Sequence, residues 1–277
     1  MSGLEALLYW SSLVLYAGAT ASYLYALAFS KPRWILRAAG FACGAFGLHS
    51  VSVIWRMAAT GHVPVKGTFE NTLTGAWFIV LFTLLITFRN ARFRSIGLGA
   101  IPFALLLLGF GAVQPAGHES LTPPFQSVWL YIHVFFAWLS YGAYTVACGS
   151  AICFLIRDRA DRRGVASRVA DLLPEADWLD EYTFRLILLG FIASAVMIVA
   201  GSFWANSLWG TYWGWDPVET WSLISWLTYG LAIHLRVTWR WRGRKSAWLA
   251  VGAIVFVLVS FWGVNYLTGT THSFDNL

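Results

Sequence analysis

Charge is scarce in this chain of 277 residues. Only 12% are Asp, Glu, Lys or Arg, about half of the roughly 25% that covers a soluble globular surface. That shortage excludes a soluble domain and a disordered chain. It also excludes reading the net charge of +6 as a nucleic-acid footprint. Cysteine is scarce too: Cys43, Cys148 and Cys153 lie inside apolar blocks with no C-x-x-C pair. Neither a disulfide framework nor a dithiol redox centre is supported. The chain has no repeat of about 20–50 residues and no low-complexity stretch, so residues 1–277 read as one domain. The first apolar block is not expected to be a cleavable leader, because Glu5 stands where a basic segment belongs and the block is too long. What is abundant is apolar and aromatic: 58% hydrophobic residues, including 17 tryptophans.

The apolar residues fall into blocks of about twenty, the length at which a helix crosses a bilayer. Eight spans are predicted, roughly at 6–29, 35–57, 71–88, 95–113, 128–156, 182–203, 218–239 and 247–266. The expected fold class is all-α, a polytopic membrane protein. Basic residues set its orientation. The linkers after spans 1, 3, 5 and 7, with their helix ends, hold 17 of the 19 Lys and Arg residues. Arg56 and Lys66 alone fall on the other side. The basic side is therefore expected in the cytoplasm and both termini outside, in the periplasm. Within the longest basic linker, 157–181, Val165, Val169, Leu172 and Leu173 among charges suggest either a short interfacial helix ending near Pro174 or a solvated connector.

Between spans 6 and 7 the outer side carries a tryptophan-rich run. Trp204, Trp209, Trp213, Trp215 and Trp221, with Tyr212, fall within eighteen residues. An interfacial belt scatters one or two rings per helix end. Five rings interleaved with Gly210 and Gly214 favour a platform for a large flat apolar ligand, to which ring stacking adds energy. Asp216 and Glu219 read as a helix start: N-cap, proline at the first helical position, then an acid three residues after the cap. Proton chemistry is the weaker reading of that pair.

Intramembrane histidines are candidates for function because burying them is costly. His133 lies five residues into span 5, near the outer interface, and His272 follows span 8 on the same side. His234 lies sixteen residues into span 7, about 24 Å below the outer end at 1.5 Å per residue. His133 and His272 can therefore share one metal, and His234 needs another partner. His49, in the outer half of span 2, reads as a packing histidine hydrogen-bonded to a neighbour. His62 and His118 sit in outer loops as surface residues. Zinc would require three or four clustered N or S ligands. Haem needs only axial nitrogens and an aromatic pocket, and is the better fit.

The run Trp209-Gly-Thr-Tyr-Trp-Gly-Trp-Asp-Pro-Val-Glu-Thr-Trp-Ser-Leu-Ile-Ser-Trp226, continuing to Tyr229 and His234-Leu-Arg236, resembles the WWD signature of haem-handling proteins. Within that superfamily the chain resembles the CcsA (ResC) family of cytochrome c biogenesis. The closing Phe261-Trp-Gly-Val-Asn265 and His272-Ser-Phe274 stretches support this. Arg56…Gly61-His-Val-Pro64…Phe69-Glu-Asn71 does so more loosely. The resemblance implies an outer WWD haem-binding loop at 204–226, with Trp209, Trp213, Trp215, Asp216 and Trp221 beside haem b held by His133 and His272. It implies a second, inner haem at His234, whose other ligand comes from a CcsB-type partner chain. The implied activity is that of a holocytochrome c synthase subunit in the bacterial inner membrane, with a thylakoid membrane as the less favoured site. Such a subunit moves haem outward for thioether attachment to C-x-x-C-H apocytochromes. Thiol-reducing proteins are further possible partners. Arg56 and Lys66 are open to interfacial anchoring or to pairing with haem propionates. Two rival classes remain: a dihaem b-type electron-transfer subunit of a quinone-linked complex, and a haem exporter without a synthase role.

Overall fold

The computed structural model describes residues 1–89, 91–118, 121–164 and 172–263. All regular structure among them is helical. Eight α-helices follow in order: α1 (Gly3–Phe29), α2 (Pro32–Thr60), α3 (Gly67–Arg89), α4 (Gly97–Ala112), α5 (Val128–Arg162), α6 (Ala176–Trp209), α7 (Pro217–Thr238) and α8 (Arg244–Leu258). A short 3₁₀ segment, Ala91–Ile96, leads into α4.

Seven of these segments are long and apolar enough to cross a bilayer, and the chain is a multi-pass membrane protein. Against the eight spans expected, seven helices among the described residues meet that measure. The exception, α7, has 22 residues but carries Ser222, Ser225, Thr228, His234 and Arg236. Three of its hydroxyls bond back into the helix, Ser222 to Glu219 O, Ser225 to Trp221 O and Thr228 to Ile224 O, at 2.7, 2.9 and 2.8 Å. This back-bonding satisfies polar groups without water.

Local chemistry sets the helix ends. Ser2 caps α1, accepting from Glu5 N, while Glu5 Oε2 accepts from Ser2 N at 3.0 Å. Pro32 opens α2 at a position where its missing N–H costs nothing. Two helices, α5 and α6, extend further than expected. α5 runs on to Arg162 because Asp158 and Asp161 pair with Arg162 and Arg157 one turn away, at 2.7 and 2.9 Å. α6 opens at Ala176 and ends at Trp209. The stretch in which a short interfacial helix or a solvated connector is expected, residues 165–171, lies outside the described residues. The flanks extend α5 and α6, and Leu172 and Leu173 are buried, with the Leu173 carbonyl accepting from Arg157 at 3.0 Å. Val165 and Val169 lie outside the described residues.

Consecutive helices alternate in direction. One end of the bundle gathers the α2–α3, α4–α5 and α6–α7 connections; the other gathers the basic connections. The longest pairing is α5 against α6. Between α4 and α5 the backbones of Gly99 and Gly149 meet so closely that a Cβ on either would overlap the other. Small residues give packing its purchase inside a membrane in this way. Helix α7 docks through two ring stacks: Tyr229 on Tyr144 (3.5 Å, 5°) and Trp226 on Phe191 (4.8 Å, 8°). The Trp226 indole N–H also donates to Phe191 O at 3.2 Å.

Candidate functional site

The site is built from α5, α6 and the segment between α6 and α7. His133 lies in the second turn of α5 and faces α6, where its Nδ1 is 2.8 Å from Met197 O. A carbonyl only accepts, so Nδ1 carries the proton and the lone pair belongs to Nε2. A second hydrogen bond of this kind orients ring and tautomer in metal-binding histidines. The approach is possible because residue 201 is glycine: a Cβ there would lie 2.7 Å from His133 Nδ1 and 3.0 Å from Cε1. One turn on, buried Trp204 sits 6.5 Å from the imidazole at an interplanar angle of 30°.

The tryptophan run is divided rather than forming one loop, which corrects the sequence expectation. Trp204 and Trp209 belong to the last two turns of α6, and Trp221 belongs to α7. Only Trp213 and Trp215, with Tyr212, lie in the connection. Trp204 and Trp209 are 6.3 Å apart, and Trp213 meets Trp215 edge-on at 5.7 Å and 85°. Gly210 ends α6 with φ 70°, a conformation that costs other residues about 1–2 kcal/mol. Trp215 itself has φ 56° and is 70% exposed, so a bulky ring is held outward on a strained backbone. Its neighbour Trp213 has a buried indole N–H with no acceptor among the described residues.

The expected helix start is present. Asp216 caps α7, accepting from Glu219 N at 3.0 Å. Glu219 Oε2 returns to Asp216 N at 3.3 Å and Gly214 N at 2.8 Å. Both carboxylates therefore brace the turn that carries Trp213 and Trp215.

The other histidines separate cleanly. His49 is fully buried, with Nδ1 3.2 Å from Tyr16 OH and Nε2 3.0 Å from Leu73 O. Both ring nitrogens join α2 to its neighbours, the packing role expected. His118 is a partial departure: it lies in a loop, but its Nε2 is 3.0 Å from buried Glu5. His62 Nδ1 is near its neighbour's Val63 O, at 2.8 Å. His234 is exposed on α7, with Nδ1 3.3 Å from Thr238 Oγ1. It is not brought near His133. His272 lies outside the described residues, so the expected pairing with His133 is not seen here.

Arg56 is neither an interfacial anchor nor a spare cation. It is 3% exposed, its Nε donates to Glu70 at 2.8 Å and its Nη1 to Glu5 at 3.1 Å. The carbonyls of Ala116 and Gly117 take further N–H bonds. A buried cation flanked by two carboxylates is occupied structurally. The residues that sequence reasoning missed are Gly201, Met197 through its carbonyl, and this Glu5–Arg56–Glu70 group. A glycine inside an otherwise helical apolar pattern is the signal that marks Gly201.

These residues fit a haem. There is an imidazole in the iron-binding tautomer, a bank of aromatic faces and an unmatched buried indole donor beside them. Comparison with known proteins gives the family of the chain as a whole. The family described as Cytochrome C assembly protein matches residues 67–272. Cytochrome c biogenesis protein CcsA of Prochlorococcus marinus (strain MIT 9301) is 34% identical over 250 residues, 82% of this chain and 81% of the relative. CcsA of Trieres chinensis is 31% identical over 252 residues, covering 79% and 80%. The chain belongs to the CcsA family of cytochrome c assembly proteins. A solved structure, Cytochrome c Heme Lyase CcmF, shares the fold with a TM-score of 0.68 at 18% identity, covering 93% of this chain. This chain corresponds to 46% of that longer one. Family membership supports a role in cytochrome c maturation. The family match begins at Gly67, the first residue of α3, so Glu5 and Arg56 lie in the helices before it.

Proposed function

We propose that this CcsA-family chain carries haem across the membrane and presents it for attachment to C-x-x-C-H apocytochromes, as a synthase subunit acting with a CcsB-type partner. The observation that carries the reading is the seat of His133, its Nδ1–H held by the Met197 carbonyl over Gly201. An imidazole so fixed offers Nε2 to iron in one orientation. His272 is assigned as the opposing ligand. Trp204, Trp209, Trp213, Trp215 and Trp221 supply aromatic faces for the macrocycle, and the Trp213 indole offers a donor to a propionate. Haem is the substrate; its vinyl groups take up the apocytochrome thiols, each S–H adding across a C=C bond. The chain's own contribution is positioning.

The inner haem is assigned to His234, whose exposure on α7 suits a ligand completed by a neighbouring chain. The basic end is placed in the cytoplasm and the tryptophan end outside, α7 counting as the eighth crossing. The dihaem electron-transfer reading draws no support: it needs paired histidines within the bundle, and His49 has both nitrogens engaged. The test is production of covalent cytochrome c in cells that depend on this chain and its partner. His133→Ala and His272→Ala are each expected to lower it at least about tenfold, with a matching loss of pyridine haemochrome from the purified complex. Normal cytochrome c in both variants would refute the synthase reading. Loss of cytochrome c with haem content intact would move the two histidines from haem binding to a later step.

A further inference from the structure

At the basic end, α5 and α8 leave a groove of about 570 Å³ between them. On α5 its wall is one helical stripe, Ile152, Leu155 and Ile156, then Arg159, Arg162 and Arg163, with the spacing of a single face. Opposite, α8 contributes Arg244, Trp248 and Val251, again one face. The stripe from 152 to 163 is about 16 Å long at 1.5 Å per residue, roughly one leaflet of a hydrocarbon core about 30 Å thick. It is apolar in its deeper half and cationic at its end, the polarity profile of a single lipid molecule.

Among the described residues the charge is not balanced by acids. Asp158 is the acid at this place, 2.7 Å from Arg162 and 3.5 Å from Arg244. Asp161 is taken by Arg157 at 2.9 Å. Arg159 and Arg163 make no ion pair among the described residues and are exposed. Two guanidiniums at consecutive turns, above an aliphatic floor and a Trp248 that is 59% exposed, call for an anion attached to a chain. Guanidinium matches phosphate through paired N–H donors. Haem also pairs anionic groups with an apolar body, but among the described residues the groove is lined by no histidine, cysteine, methionine or tyrosine that could take iron.

We propose that this groove binds an anionic phospholipid of the leaflet at the basic end. Arg159 and Arg163 grip the phosphate, and an acyl chain lies along the aliphatic residues of α5 against Trp248 and Val251. The site is separate from the His133 region and does not depend on the haem reading. The test uses the full chain in mild detergent, titrated with phosphatidylglycerol, phosphatidylcholine, glycerol 3-phosphate or haem, read by native mass spectrometry and thermal melting. Phosphatidylglycerol is expected to bind and raise the melting midpoint, while phosphatidylcholine and glycerol 3-phosphate do not. The double variant Arg159→Gln, Arg163→Gln is expected to bind phosphatidylglycerol about 30-fold more weakly. The Arg159→Lys, Arg163→Lys pair keeps the charge but not the paired donors, and its affinity should fall between those of the native chain and the glutamine pair. Equal binding of phosphatidylcholine overturns the proposal, as does equal stabilisation by glycerol 3-phosphate. Displacement of phosphatidylglycerol by haem reassigns the groove to haem and overturns it too. Loss in the lysine pair as large as in the glutamine pair marks a structural effect and also counts against it.

Discussion

His133 owes its orientation to an atom the chain lacks. The missing Cβ at residue 201 admits the imidazole to within bonding distance of the Met197 carbonyl. Gly201→Ala is expected to push the ring off that carbonyl, lowering haem content of the purified complex by about 10- to 100-fold. Overpacking should cost about 1–3 kcal/mol in the same variant. The control is Gly109→Ala, where an added methyl meets nothing within 4 Å; haem content and melting midpoint should both hold. Equal haem loss in the two variants would remove the special status of Gly201. The histidine was legible in the sequence from its depth in a span. Gly201 was not, because the helix crossing that brings residues 133 and 201 together is invisible in a linear pattern. Arg56 teaches the same lesson in reverse. By position it is one of two basic residues on the sparsely charged side, and only packing shows Glu5 and Glu70 on either side of it.

The elements follow from local rules where those rules are strong. The Asp216-Pro217-Val218-Glu219 signature predicts a capped helix, and both reciprocal bonds are present. Asp216→Ala removes the acceptor for Glu219 N and is expected to cost about 1 kcal/mol, seen as faster hydrogen exchange at the start of α7. Asp216→Asn keeps the acceptor and should restore protection; faster exchange in both would point to charge rather than the cap. Where local rules are weak, the helix ends moved. Trp204 to Trp209 look like loop by composition, yet they continue α6, because aromatic residues packed against α5 sustain a helix that their spacing does not advertise. Trp204 reaches both His133 and Phe125 across that interface. The tryptophan platform is therefore assembled from two helix ends and a short connection.

For the whole molecule, topology is the property on which the proposed haem path depends. α7 joins the tryptophan end to the basic end and is the least apolar of the helices expected to cross. Single cysteines at Thr211 and Arg240, read with a membrane-impermeant maleimide in intact cells, bracket it. Thr211→Cys is expected to label at once and Arg240→Cys only after permeabilisation. Labelling of both from the same side would mean that α7 does not cross. Of the native cysteines, Cys148 and Cys153 are buried in α5, and the half-buried Cys43 of α2 is replaced by Ser in the background used for labelling.

The amino-acid sequence by itself determined that this chain lives in a membrane as a bundle of helices, and which segments those are. Bilayer thickness and the cost of exposing backbone polar groups act on composition and length alone. The WWD run and the depth of His133 were likewise open to reading, since spacing along one helix is a local quantity. Tertiary structure decided what touches what across helices. It took Arg56 out of reach of a ligand, joined both nitrogens of His49 to neighbouring helices, set His133 over Gly201, and opened a cationic groove between α5 and α8. Those outcomes depend on how helices cross, and crossing is settled by the fit of side chains far apart in the chain.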